Sequence, residues 1–108
     1  MKIPKSFKLL GHTITVSYEP AAFYEKNRYG ACSFESKWIK LCPVSPAMPV
    51  TQSSLEHTFL HELNHMILYH CHGLEKVKGD TPLYENESFV DFYAGLLHQA
   101  LTSFEYQD

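Results

Sequence analysis

Residues 61–65 read HELNH. Two imidazoles four residues apart stand one turn from each other on one side of a helix and can hold the same divalent cation. Zinc suits such nitrogen donors, at roughly 2.0–2.1 Å with tetrahedral geometry. Glu62 directly follows the first histidine and projects to the neighbouring side. There a carboxylate lies beside the coordination position left to water and can act as a general base. In a chain this rich in histidine, HExxH arises by chance in roughly one shuffled sequence in thirty, so the pattern needs a third ligand to carry weight.

Three candidates compete for that place. The longer pattern HExxHxxGxxH would need a glycine at 68 and a histidine at 71. The chain has Leu68 and Cys71, so this arrangement survives only if a cysteine replaces the histidine. Asp80 sits among turn-forming residues, where a solvated role suffices. Glu87 is followed by Asp91 one helical turn on, and this pair gives the strongest reading. Glu87 completes the metal shell, and Asp91 accepts the free N–H of a ligating histidine and fixes its ring. The helix dipole favours acids in a first turn and would explain Glu85 and Glu87 equally, but it does not explain Asp91.

The elements that must place these groups divide the chain into a β half and an α half. Residues 7–18, FKLLGHTITVSY, read as two short strands turning at Gly11-His12, with Ile14, Val16 and Tyr18 on one face. Residues 29–42, YGACSFESKWIKLC, read as a hairpin turning at Glu35-Ser36, with Cys32, Phe34, Ile39 and Leu41 sharing a core face. Three prolines in 43–51 exclude a regular element there. A helix is expected from about 53 to 71. Ser53 and Glu56 offer a capping box, Thr51 is a rival cap, and Gly73 is the stop. Leu55, Phe59, Leu63, Met66 and Ile67 form its core stripe, with His61 and His65 off that stripe, facing a partner or cleft. A second helix spans 85–104, started near Glu85 or Asn86, with Phe89, Tyr93, Leu96, Leu97, Ala100 and Phe104 as its apolar face. His57 is read as a surface residue, and His98 as one packed in the groove between the helices.

HELNH with NESFVD (86–91) resembles the HExxH and NExxxD signatures of gluzincin metallopeptidases, the thermolysin-like clan. The short length, the hairpin GACSFESKWIKL and the phrases FLHELNHMIL and ESFVDFYAGLLHQAL are most similar to the small phage-associated zincins, relatives of the ImmA/IrrE metallopeptidase family. The likeness is firm over 55–101 and looser over 29–42. It implies an α+β fold on a minimal gluzincin core: a small antiparallel sheet packed on the HExxH helix and a following glutamate-bearing helix. It also implies that His61, His65 and Glu87 ligate Zn2+, that Glu62 is catalytic and that Asp91 orients a ligand. The activity implied is metal-dependent hydrolysis of a peptide or protein substrate, with a specific regulatory protein as one candidate. Larger members supply an oxyanion donor from segments this chain lacks; Tyr84, Tyr69 and His72 are the candidates here. The substrate is expected to lie extended along the sheet edge, with the hairpin strands as provider.

Composition sets the outer bounds. The 108 residues suit a single domain over 1–108 and are 44% hydrophobic, enough for a core. A net charge of −3, with no basic run, argues against a nucleic-acid partner. No apolar run reaches membrane length and no signal-peptide core is apparent, so a cytoplasmic protein without membrane contact is expected. Three cysteines at wide spacing form no disulfide framework. The competing function is a catalytically silent zinc-binding domain serving as a structural or protein-interaction module. Structural zinc sites usually have four protein ligands and no use for a base, and only three good ligands are found here.

Overall fold

The computed structural model describes residues 1–19, 29–43, 50–70 and 83–107. It is an α+β fold in which a four-stranded sheet packs on one helix and that helix packs on a second. The strands are β1 (Ser6–Leu9), β2 (His12–Tyr18), β3 (Gly30–Ser33) and β4 (Trp38–Leu41), in the order β1-β2-β4-β3. The helices are α1 (Gln52–His70) and α2 (Glu87–Thr102), with a short 3-10 turn at Leu83–Glu85.

The sheet is mixed rather than antiparallel. β1 and β2 pair antiparallel, as do β3 and β4, but β2 and β4 run parallel. The registers explain why. Tyr18 at the end of β2 and Gly30 at the start of β3 both flank Leu41, so β3 begins at the edge where β2 stops. The hairpin then folds β4 into the gap between them, and β4 must run in the direction of β2.

The first turn lies one residue earlier than Gly11-His12. Leu10 and Gly11 have φ of 49° and 81°, and the pair Leu9–His12 closes the hairpin. A two-residue hairpin turn with positive φ at both positions matches the strand twist, and glycine supplies one of them without strain. The second turn spans four residues, 34–37, but keeps the expected register of Cys32 opposite Ile39. Ser33 Oγ accepts the Ser36 N–H within it.

The rival cap starts α1. Thr51 Oγ1 accepts the Ser54 N–H at 3.1 Å, and Glu56, which a Ser53 capping box would turn back on the chain, is buried instead. The expected stop at Gly73 lies outside the described residues. Asn86 caps α2 by accepting the Phe89 N–H at 3.0 Å.

Ile14, Ile39 and Leu41 from the sheet meet Phe59, Leu60 and Met66 of α1 and Ala94 of α2 in one core. Ile67 and Tyr18, expected on core faces, are exposed. The larger correction concerns α2. Its fully buried residues are Val90 and Ala94, with Leu97 and Leu101 packed on the core, while Phe89, Tyr93, Leu96, Ala100 and Phe104 are exposed. The helix carries two apolar arcs, and the one with smaller residues fits against α1. Among the described residues no helix is long and apolar enough to cross a membrane.

Candidate metal centre

The site forms where α1 crosses the start of α2 beside the edge strand β3. Gly30 lets α1 approach that closely. A Cβ there would stand 2.6 Å from Thr58 Cγ2 and 3.2 Å from the Lys40 carbonyl oxygen. Thr58 lies one turn before Glu62, so this contact sets the distance from strand to base. Between the three elements opens a cleft of about 840 Å³, lined by His61, Glu62, His65, Tyr84, Glu87 and Asp91 together with residues 29–32.

The structure brings together His61, His65 and Glu87. His61 Nε2 lies 3.0 Å from Glu87 Oε2, His65 Nε2 lies 3.0 Å from Glu87 Oε1, and the two Nε2 atoms are 3.2 Å apart. The other ring nitrogens are engaged elsewhere. His61 Nδ1 donates to Asp91 Oδ1 at 3.0 Å, and His65 Nδ1 donates to the Tyr84 carbonyl oxygen. Both acceptors lack a proton, so they fix each ring with its proton on Nδ1. The Nε2 lone pairs and a carboxylate therefore converge on one point. Such a cluster of acceptors repels itself unless protons or a cation sit among them. One divalent ion satisfies all three at once. A tetrahedron with ligands at about 2.05 Å has an edge of about 3.3 Å, close to the spacings found, so the residues fit zinc.

Glu62 is buried on the β3 side of the cleft. Burial holds its carboxyl above the usual carboxylate range, and the negative charge of Glu87 adds to that. A hydrogen bond from Cys32 and the nearby histidines pull the other way. Burial likewise pushes the Cys32 thiol up, reinforced by the charge of Glu62, so it stays protonated beside that carboxylate.

Sequence reasoning missed two of these supports. Cys32 was read only as a core residue and a hairpin partner of Ile39. The Tyr84 carbonyl that holds His65 is a backbone group and leaves no trace in residue type. His57 is half-buried on the wall of the cleft rather than on open surface. Its Nε2 lies 3.3 Å from Asp91 Oδ1 without making a hydrogen bond. Among the oxyanion candidates Tyr84 borders the cleft, and its ring meets Phe34 and Tyr69 edge-on at 5.4 and 5.2 Å. Tyr69 stacks on Phe34 at 4.2 Å. His72, Cys71 and Asp80 lie outside the described residues.

No protein-family profile, curated protein or solved structure matches the chain.

Proposed function

We propose that this chain is a small zinc-dependent metallopeptidase of the gluzincin type, on a minimal gluzincin core related to the ImmA/IrrE family. The observation that carries the reading is the convergence of His61 Nε2, His65 Nε2 and the Glu87 carboxylate, with both Nδ1 atoms already committed. Zinc held there supplies Lewis acidity, polarising a carbonyl and acidifying a water.

The remaining work falls to the chain's own side chains. Asp91 and the Tyr84 carbonyl keep the two imidazoles in one tautomer and one orientation. Glu62 takes the proton of the attacking water on its carboxylate and passes it to the leaving amine. Cys32 and Glu62 line the same wall of the cleft. β3 pairs with β4 on one side, and its other side lies at the sheet edge. An extended peptide can add there by backbone hydrogen bonds and so run past the metal ligands.

The test is digestion of a proteome-derived peptide library by zinc-loaded wild type and by Glu62→Gln, read by mass spectrometry. Wild type is expected to generate new termini, and the variant to generate none at equal zinc content. Undiminished cleavage by Glu62→Gln would refute the assignment of the base.

A further inference from the structure

The outer face of α2 is apolar and open. Phe89 is 40% exposed, Phe92 71%, Tyr93 50% and Leu96 51%. At about 100° per residue these four fall in one arc, roughly opposite the arc of Glu87 and Asp91. Ser88, Gln99, Ala100 and Ser103 complete the face, and all are exposed. It holds no acid, lysine, arginine or histidine. Aromatic enrichment with depletion of charge marks the core of a protein interface rather than a solvated helix face.

The order of residues along this face identifies the occupant. If α2 meets a copy of itself antiparallel, with the two-fold axis at Leu96, each position pairs with the one equally far on the other side. Phe89 then meets Ser103, Phe92 meets Ala100, and Tyr93 meets Gln99. Within the helix the three aromatic residues lie before Leu96 and smaller ones after it, so Phe89, Phe92 and Tyr93 each face a smaller side chain. Leu96 meets Leu96. With no charged group on the face, the symmetry brings no like charges together. Antiparallel helix dipoles also oppose favourably.

The area is sufficient. Taking about 200 Å² for a large side chain, the four helix residues offer roughly 400 Å², and Phe104 and Tyr106, exposed just beyond the helix, raise this to roughly 700 Å². A biological interface should clear about 1,000 Å² in total, about 500 Å² per partner, and this face offers that much.

We propose that the chain forms a two-fold dimer through the outer face of α2, centred on Leu96. The dimer buries the arc that α1 leaves uncovered and braces the helix that carries Glu87 and Asp91. The two clefts then face away from each other. The interface does not depend on zinc or on hydrolysis, so it stands or falls separately from the peptidase reading.

Sedimentation equilibrium at ~100 µM tests it on the full chain. Wild type is expected at twice the 12.4 kDa monomer mass. Leu96→Glu and Phe92→Glu should each halve that mass, with unchanged circular dichroism because both side chains are exposed in the monomer. A short thiol cross-linker reads the geometry, with wild type as control for the native cysteines. Leu96→Cys should give covalent dimer. Phe89→Cys alone should not, since two copies of residue 89 lie about 21 Å apart along the helices. Phe89→Cys with Ser103→Cys should restore it. A monomeric wild type, a dimer that survives Leu96→Glu, or cross-linking by Phe89→Cys equal to that of Leu96→Cys would each overturn the proposal.

Discussion

Two sets of histidine–carboxylate contacts join α1 to α2, and they end differently. Toward the start of α1, Glu56 Oε1 accepts from His98 Nε2 at 2.8 Å, and the Met1 amino nitrogen stands 3.6 Å from the same oxygen. The Glu56 side chain is 8% exposed. Two turns further along α1, His61 and His65 meet Glu87 and Asp91, whose side chains are 71% and 62% exposed. In the first set every group has an opposite partner, and the pair acts as a clamp. In the second, acceptors outnumber donors at one point beside an open cleft. The same residue types on the same helices thus close a buried pair in one place and leave converging acceptors beside a cleft in the other, the arrangement on which the proposed metal site rests. Exposure and the count of lone pairs decide which.

Breaking each set should separate these roles. The largest effect is expected from His61→Ala, which removes one of three donors. Zinc affinity should fall by more than about a thousandfold, roughly 4 kcal/mol, as measured by competition with a chromophoric chelator. The fold should survive, since His61 lies off the core. Glu56→Ala should do the reverse. It leaves His98 without its carboxylate and should cost about 2 kcal/mol, lowering the melting temperature by roughly 10 °C. Zinc stoichiometry should not change.

The Glu56 pair also sets a pH dependence. The hydrogen bond from His98, chiefly, holds the Glu56 carboxyl below its ordinary value of 4.5, against the opposing effect of burial. A lowered carboxylate contributes stability that is present above the ordinary value and lost as pH falls through the folded value. Acid titration of stability from pH 5 downward should therefore be steeper in wild type than in Glu56→Gln. Equal slopes would remove the clamp from the account.

Smaller effects sharpen the metal side. Asp91→Asn keeps the shape but weakens the grip on His61 Nδ1, and should reduce zinc affinity about tenfold. Smallest of all, Thr51→Ala removes the cap of α1 and should cost about 1 kcal/mol, with no effect on metal.

The site was more legible in the sequence than the surfaces around it. HELNH and the Glu87–Asp91 pair are local patterns, and helical periodicity alone brings their members to one side. The pairing of α1 with α2 needed only two adjacent helices. The parallel contact of β2 with β4 was hidden because residue alternation is the same in either direction. The outer arc of α2 was misread as its core face because Phe89, Tyr93 and Leu96 are the larger apolar residues. Periodicity finds two arcs on that helix and has no means of choosing between them. Glu56 fitted a local capping pattern, yet its partner is His98, 42 residues away, and no short-range rule reaches that far.

Metal analysis of the purified protein, with X-ray absorption at the zinc edge, bears on the converging donors themselves. One zinc per chain is expected, bound by two imidazole nitrogens and a carboxylate oxygen, and lost in both His61→Ala and Glu87→Ala. Substoichiometric metal that is indifferent to both substitutions would contradict it.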